Sequence, residues 1–327
     1  MIDTALPSQV RPVAMNANEE GLLLESRSLL MSEFIEAAHR AAKTDATILL
    51  GGDSGTGKSA FAHQMHKWSG RGQDRFLIVD CAALSEHTHE IDPLEALRNS
   101  LAVMNRVRGD RGDVSDAATL FLDNLAELQL AAQARLLQLV EERQSGARSS
   151  STDSGARIIA ASSRDLAEEV LAGRFRGDLF YRINVIALRI PALVDRREDI
   201  TVLAEHLLAL AARRNNRQRL RLSDEAASAI ADYHWPGNVR ELRNAIERAA
   251  VLSTSDLVTE EHLPDAVLLT RLRHSFSEGR RLTGLEEVER RHIIRVLRAT
   301  STMEEAAAVL GINASTLWRK RKLYNIE

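Results

Sequence analysis

The sequence predicts an α/β fold, in which a mostly parallel sheet of five strands is followed by a small helical domain and an all-α C-terminal domain. The first observation is a glycine-rich motif, G-x-x-x-x-G-K-S, which runs from Gly52 to Ser59 between an apolar run and a helical pattern. The second is that apolar runs of strand length alternate with helical patterns as far as Pro191, and only helical patterns follow it. Such alternation is typical of a parallel sheet that is covered on both faces.

The composition excludes several classes of protein. The 327 residues carry a net charge of -3, so any contact with DNA must come from a local basic patch. No apolar run approaches the length that spans a membrane, and the N-terminus lacks the pattern of a secretory signal. We therefore expect a soluble, cytoplasmic protein without a membrane partner. The single cysteine, Cys81, excludes an intrachain disulfide and lies in an apolar context typical of a packed thiol.

Five apolar runs mark the predicted strands. They lie at 46–50, 76–79, 119–123, 157–161 and 185–190. Before them, apolar residues recur at helical spacing from Leu22 to Ala42, which predicts an amphipathic helix. Residues 1–20 show no periodicity and contain Pro7 and Pro12, which favours a disordered or loosely docked tail.

Three helical patterns after Pro191 predict the small helical domain. They are Ile200 to Arg214, Asp224 to Tyr233 and Val239 to Ser253. Ser223 is placed to cap the second helix, and Asn238 with Glu241 resembles a capping box at the start of the third. The predicted order is a tail at 1–20, the α/β domain at 21–191, the helical lid at 192–263, a linker at 264–283 and the C-terminal domain at 284–327.

The glycine-rich motif is a P-loop. Glycines let the backbone wrap closely around phosphates with its N–H groups pointing inward, and the helix N-terminus behind it adds a positive dipole end. Lys58 is placed to reach the β- and γ-phosphates, and Ser59 to ligate Mg²⁺. We expect every residue of the motif to bind the nucleotide: Gly52, Asp53, Ser54, Gly55, Thr56, Gly57, Lys58 and Ser59.

A second phosphate-site motif follows further along the chain. The apolar strand 119–123 ends in Asp123, which has the shape of a Walker B element. Asp123 would hold the water shell of the Mg²⁺ ion opposite Ser59. Together the two motifs predict a nucleotide and Mg²⁺ as ligands of the α/β domain.

The C-terminal segment has the pattern of a helix-turn-helix unit. A helix at Leu285 to Arg298 is followed by a second at Met303 to Leu310, a Gly-Ile-Asn turn and a third helix at Ser315 to Tyr324. The Thr302 and Glu305 pair is placed to cap the second helix. The third helix carries the residues expected to contact double-stranded DNA. These are Ser315, Thr316, Arg319, Lys320, Arg321 and Lys322.

With these motifs in order, the chain resembles the bacterial enhancer-binding proteins, the AAA+ activators of sigma-54 RNA polymerase, from about Leu22 to the C-terminus. The segments that carry the resemblance are the P-loop, Cys81-Ala82-Ala83-Leu84, the strand 119–123, Gly173 to Arg182 and Trp235 to Leu242. The run Ser315-Thr316-Leu317-Trp318-Arg319-Lys320 is similar to the Fis-type DNA-binding domain that these proteins carry.

The resemblance implies an AAA+ domain with a helical lid, ATP and Mg²⁺ as cofactors, and sigma-54 RNA polymerase holoenzyme as a partner. Arg176 and Arg182 match the arginine fingers, which reach the γ-phosphate held by a neighbouring subunit. A homo-oligomer is therefore implied, from a dimer on a palindromic DNA site to a hexameric ring. Arg240 matches the sensor II arginine, and Ser163 stands in the sensor I region where the family usually has Asn.

Besides Ser163, the sequence departs from the family at the GAFTGA loop and at the end of two neighbouring strands. The GAFTGA loop that grips sigma-54 is missing, and residues 99–104 lack its paired glycines and its Phe-Thr core, which argues against engagement of sigma-54. Asn124 replaces the Walker B glutamate, and an amide cannot take a proton from the attacking water, so slow hydrolysis is expected. Asp80 ends the neighbouring strand, where many members have the Asn that pairs with that glutamate. Asp80 and Asn124 are therefore hypothesised to have exchanged roles.

Three functions remain open from the sequence. The first is a sigma-54-type AAA+ regulator that binds ATP and promoter-upstream DNA. The second is a non-hydrolysing DNA-binding repressor or co-regulator that uses the nucleotide only to oligomerise. The third is an AAA+ motor that acts on another protein through an altered loop.

Overall fold

The computed structural model describes residues 10–12, 26–71, 76–86, 118–144, 157–217, 219–269, 289–290, 292–294, 296–297, 300, 302–324 and 326. The chain divides into two compact units, Met1–Pro264 and Asp265–Glu327. The loop at 99–104, the linker at 270–283 and the start of the predicted helix at 285–288 lie outside the described residues. In the described part of the chain, no helix has both the length and the apolar character needed to cross a membrane.

The first unit is built on a six-stranded sheet in the order β1-β3-β4-β5-β2-β6. The strands are β1 Val10–Pro12, β2 Ile48–Gly51, β3 Phe76–Asp80, β4 Thr119–Asp123, β5 Arg157–Ser162 and β6 Ile186–Arg189. The five predicted strands, β2 to β6, are parallel to one another. Because they are parallel, their carboxyl ends lie at one edge of the sheet, and the P-loop follows β2 at that edge.

The strand β1 was not predicted. It pairs antiparallel with β3 at the edge of the sheet, within the segment expected to be a loose tail. Pro12, which argued against regular structure, is compatible with this position, because a proline without an N–H is tolerated on an edge strand.

Helices cover both faces of the sheet and bury two apolar cores. One core packs α1 (Leu29–Ala42) and α2 (Lys58–Trp68) on the sheet, and the other includes α4 (Leu130–Gln144). The shorter helices are α3 Cys81–Glu86, α5 Leu166–Leu171 and α6 Gly177–Ile183. Cys81 lies in the second core, where burial raises the pKa of its thiol, as expected of a packed cysteine.

The helix α1 begins later than the predicted Leu22, because Ser26, Arg27 and Ser28 are held in an extended segment by Asp199. The carboxylate of Asp199 accepts hydrogen bonds from the Ser26 hydroxyl at 2.7 Å, the Arg27 N–H at 2.7 Å and the Ser28 N–H at 3.2 Å. A contact between residues this distant in sequence leaves no trace in local periodicity.

The lid consists of α7 Glu198–Arg214, α8 Asp224–Asp232 and α9 Asn238–Leu252, with a two-stranded sheet of β7 Arg221–Leu222 and β8 Leu257–Val258. The predicted cap by Ser223 is confirmed, since its side chain accepts a hydrogen bond from the Ala226 N–H. The capping box at Asn238 is wrong. Glu241 instead accepts from the Gly237 N–H at 2.8 Å, and Asn238 turns its side chain toward the α/β domain.

The C-terminal unit has the predicted helix-turn-helix pattern. Residues 289–290, 292–294 and 296–297 are helical, and α10 Met303–Val309 and α11 Ala314–Leu323 follow. Thr302 caps α10 by accepting from the Glu305 N–H, and Asn313 caps α11 by accepting from the Thr316 N–H at 2.8 Å. Gly311 has a φ of 64°, a left-handed conformation that suits glycine at a tight turn.

Candidate nucleotide and DNA sites

The P-loop connects β2 to α2 in a conformation that needs its glycines. Gly52 has a φ of 146°, and a Cβ there would lie 3.0 Å from the carbonyl oxygen of Ile190. Gly55 has a φ of 81°, and a Cβ there would clash with the carbonyl of Gly237 in the lid. The backbone is thereby free to curve around a phosphate group while it packs closely against the lid.

Lys58 is a buried cation directed back along the P-loop. Only 7% of the residue is exposed, and its ammonium donates to the carbonyl oxygens of Gly52 at 2.7 Å and Asp53 at 3.0 Å. Burial lowers the pKa of Lys58, and the carboxylate of Asp123 opposes this effect. The ammonium is therefore held inside the P-loop, at the lining of the cavity described below.

Ser59 and Asp123 meet where a Mg²⁺ ion would be held. The Ser59 hydroxyl donates to Asp123 Oδ2 at 2.8 Å. A hydroxyl beside a carboxylate fits Mg²⁺, which takes hard oxygen ligands and completes its shell with water and phosphate oxygens. Within the described ranges, no group of three His, Cys, Asp or Glu side chains forms an all-protein metal cage.

A cavity of about 410 Å³ lies between the α/β domain and the lid. The predicted residues that line it are Ser54 to Ser59, Asp123, Asn124, Ser163 and Arg240. Arg240 donates to the Ser54 hydroxyl at 2.9 Å, and Asn238 donates to the Ser54 carbonyl at 3.0 Å. The lid thus touches the P-loop directly, so a ligand in the cavity would contact both domains.

Asp80 and Asn124 form a hydrogen-bonded pair beside Asp123. Asp80 is aligned with Asp123 across β3 and β4, and its Oδ1 accepts from the Asn124 side-chain amide at 3.1 Å. Asp80 Oδ1 also accepts from the Ala82 N–H at 3.1 Å. Asn124 lines the cavity, whereas Asp80 lies behind it and is not part of the lining. Asn124 has a φ of 55°, which an Asn tolerates better than most residues.

The two predicted arginine fingers lie on the surface, outside the lining of the cavity. Arg176, at the start of α6, binds Asp178 with both Nε and Nη2, at 3.0 and 2.7 Å. Arg182, near the end of α6, lies 3.7 Å from Glu141. Exposed ion pairs of this kind are weak, so either guanidinium can exchange its partner for a phosphate.

In the C-terminal unit, two basic residues of α11 contact other parts of the unit and two are exposed. Lys320 forms an ion pair with Glu289 at 2.6 Å, and Arg321 donates to the sulfur of Met303 at 3.4 Å. The hydrogen bond from Lys320, with a second from Tyr324, lowers the pKa of Glu289. Arg319 and Lys322 are exposed. Near the N-terminus of α11, Ser315 is exposed and bonds to the Asn313 side chain, and Thr316 is half-buried.

Comparison with known families matches all three parts of the chain. The sigma-54 interaction domain matches residues 24–189, the AAA+ ATPase lid domain matches 194–278, and the bacterial regulatory protein, Fis family, domain matches 284–324. The chain belongs to the sigma-54-dependent transcriptional regulators. The AAA+ fold and the Fis-type helix-turn-helix expected from the sequence are thereby confirmed.

Two named transcriptional regulators and one solved structure are similar to this chain. The alginate biosynthesis transcriptional regulatory protein AlgB of Pseudomonas putida is 38% identical over 309 residues, which cover 93% of this chain and 67% of AlgB. The transcriptional regulatory protein ZraR of Salmonella typhimurium is 39% identical over 293 residues, which cover 89% of this chain and 66% of ZraR. A crystal structure of NtrX from Brucella abortus in complex with ATP matches with a TM-score of 0.59 and 27% identity, covering 93% of this chain and 69% of NtrX.

Gln133 of this regulator, which its sequence pattern does not single out, is fully buried in α4. Its amide donates to the carbonyls of Leu128 at 2.7 Å and Arg174 at 3.0 Å, and its oxygen accepts from the Arg176 N–H at 2.8 Å. Gln133 therefore fixes the backbone that carries Arg176. In the sequence, Gln133 is a polar residue within an apolar helical pattern. Such a residue does not by itself indicate a functional site.

We expect Gln133→Ala to displace Arg176 and to lower any ATP hydrolysis at least tenfold while ATP affinity changes less than threefold. The reason is that the lost hydrogen bonds hold the backbone at Arg176, the predicted arginine finger, and none of them reaches the cavity. Steady-state rates and equilibrium binding would be compared with those of Gln129→Ala, an exposed glutamine just before the same helix. Equal loss of binding and rate would mean that the whole domain is disturbed.

Proposed function

We propose that this regulator binds ATP with Mg²⁺ in the cavity between its α/β domain and its lid, assembles into a ring, and binds promoter-upstream DNA through α11. The observation that carries the proposal is that Lys58, Ser59 and Asp123 converge on the same cavity as Arg240 from the lid. The complex of NtrX with ATP supports this assignment by similarity.

In this proposal, Lys58 binds the β- and γ-phosphates, while P-loop N–H groups surround them. Ser59 and Asp123 hold the Mg²⁺ ion, which neutralises phosphate charge when bound. Ser163 contacts the terminal phosphate region from the end of β5. Arg240 leaves its hydrogen bond with Ser54 to bind phosphate, which couples the nucleotide to the angle of the lid.

The position of Arg176 and Arg182 supports the proposed assembly. Arg176 and Arg182 are exposed and do not line the cavity of their own subunit. We assign them to the γ-phosphate of a neighbouring subunit, where a permanently charged, planar guanidinium stabilises the charge of phosphoryl transfer.

Sedimentation velocity with and without a non-hydrolysable ATP analogue tests this proposal. The wild-type chain is expected to shift to larger species with the analogue, and Lys58→Ala is expected not to shift. Arg176→Ala serves as a second variant, because it should bind the analogue and yet assemble less. An unchanged size distribution of the wild-type chain over the accessible concentration range would contradict assembly by nucleotide.

For DNA binding, the exposed Arg319 and the paired Lys320 make a matched comparison. We expect Arg319→Ala to weaken binding to a target duplex by about 10- to 100-fold, as for the loss of a base contact. Lys320→Ala should change the affinity less than about threefold, because Lys320 is half-buried against Glu289, whereas Arg319 is exposed. Equilibrium binding at a fixed salt concentration measures both. A larger effect of Lys320→Ala would mean that Lys320, rather than Arg319, contacts the DNA.

One observation favours a second function, a DNA-binding regulator that uses ATP only to oligomerise. The residue next to Asp123 in the cavity lining is the amide Asn124, and no carboxylate of the described chain other than Asp123 lines the cavity. An amide cannot act as a general base. Remodelling of sigma-54, or of another protein, depends on the loop at 99–104, and open-complex formation with sigma-54 polymerase would separate these functions.

A further inference from the structure

Arg196 is a buried arginine in the nucleotide cavity that the roles proposed above do not use. It follows β6, between a 3₁₀ turn at Leu193–Asp195 and the helix α7, and only 4% of it is exposed. It nevertheless contributes to the lining of the cavity, together with the apolar side chains of Leu203 and Val239.

The guanidinium of Arg196 lacks the partners that a buried charge normally has. One Nη donates to the sulfur of Met31 at 3.2 Å, a weak acceptor, and Nε has no hydrogen-bond partner in the described structure. No ion pair to Arg196 occurs among the described residues, and burial lowers its pKa despite the charge of Asp199. A buried, unsatisfied cation is costly unless a ligand supplies acceptors.

The strand order indicates which part of a nucleotide lies near Arg196. Asp123 follows β4 and Ser163 follows β5, whereas Arg196 follows β6, on the opposite side of the P-loop strand β2. The terminal phosphate and Mg²⁺ belong on the side of Asp123, so the nucleoside end of the ligand extends toward Arg196. Leu203 and Val239 provide apolar surface at this end, as a base requires.

We propose that Arg196 donates a hydrogen bond to a ring nitrogen of the purine base, and this inference rests on the proposed ATP site. A guanidinium only donates hydrogen bonds, and purine N3 and N7 and adenine N1 only accept them. Cytosine also has acceptors, N3 and O2, but they lie closer to the ribose than adenine N1 does, so the larger ring is the one that reaches Arg196. Arg196 thus selects purine nucleotides, while the P-loop binds the phosphates of any triphosphate. Because the weakly accepting sulfur of Met31 is its side-chain partner among the described residues, its other N–H groups remain available for the base.

The test measures the affinities of the whole chain for ATP, CTP and inorganic tripolyphosphate by competition calorimetry. Arg196→Met keeps an unbranched chain against Met31 but removes the donors. It is expected to weaken ATP binding by about 10- to 100-fold and to change CTP and tripolyphosphate less than threefold. Arg197→Met, at the exposed neighbouring residue, is the matched control and should change none of the three.

A thermal melt without nucleotide gives an independent readout. Removing an uncompensated buried charge should leave the melting temperature of Arg196→Met equal to or above that of the wild type. A lower melting temperature would assign Arg196 to the structure of the lid. Arg196→Lys, which keeps the charge, should recover part of the ATP affinity.

Other outcomes would overturn the inference. An equal loss for ATP and tripolyphosphate would place Arg196 on the phosphates, an equal loss for ATP and CTP would place it on the ribose, and unchanged ATP affinity would exclude any contact. Lys58→Ala tests the proposed ATP site independently of Arg196, since it should weaken the binding of all three ligands. A wild-type chain that binds no ATP would overturn the site and the inference together.

Discussion

Lys58→Ala is expected to lower the affinity for ATP at least about 100-fold, because in the proposed site it removes the charged hydrogen bonds to the β- and γ-phosphates. The buried ammonium is held by the carbonyls of Gly52 and Asp53, at 2.7 and 3.0 Å, in the loop that encloses the phosphates. A phosphate would compete with these neutral carbonyl acceptors, and it is favoured because a hydrogen bond between two charged groups is the stronger one. Isothermal titration calorimetry with ATP and Mg²⁺ measures the change.

The matched control for this variant is Lys67→Ala, in the last turn of the same helix. It removes the same charge from the helix that carries Lys58 but leaves the P-loop intact, and ATP affinity should change less than threefold. If both variants bound ATP equally well, the P-loop would not be the phosphate site.

Asp80→Asn is expected to lower the rate of ATP hydrolysis by about 10²- to 10⁴-fold, the usual contribution of a general base, while ATP affinity stays unchanged. Asp123 is hydrogen-bonded to Ser59, so the exchange hypothesis makes Asp80 the general base. Because Asp80 does not line the cavity, it would accept the proton of the attacking water through one intervening water. It lies behind Asn124, whose amide holds it at 3.1 Å. The asparagine oxygen can still accept that hydrogen bond, so the variant changes basicity more than shape.

The double variant Asp80→Asn with Asn124→Asp tests the exchange of roles in the opposite direction. It returns the carboxylate to the position after Asp123 and the amide to the end of β3. We expect it to recover much of the rate that Asp80→Asn loses. Unchanged hydrolysis in Asp80→Asn would end the exchange hypothesis.

Most of the sheet and the nucleotide site could be predicted because they depend on contiguous residues. The P-loop and the strand before Asp123 combine an apolar run with a fixed motif, and each motif places its own side chains at one edge of a parallel sheet. The helix-turn-helix could be predicted for the same reason, since Thr302 and Gly311 mark its boundaries locally.

The remaining features depend on contacts between residues that are distant in sequence. The late start of α1 is due to Asp199, and the failed capping box is due to Asn238, which reaches Ser54 and Leu193 instead of its own helix. Gln133 and Arg196 look in the sequence like ordinary helix and surface residues. Their burial and their partners, or lack of them, become visible only when the lid, α4 and the P-loop are placed together.

The measurement that tests the account most directly is steady-state ATP hydrolysis across a range of protein concentrations, with Lys58→Ala as the blank. We predict a low rate per subunit that rises with concentration, because in the proposed ring each site is completed by Arg176 and Arg182 of a neighbouring subunit. A rate equal to the blank at every concentration, with ATP still bound, would contradict a working ring and would leave a DNA-binding regulator that does not hydrolyse its nucleotide.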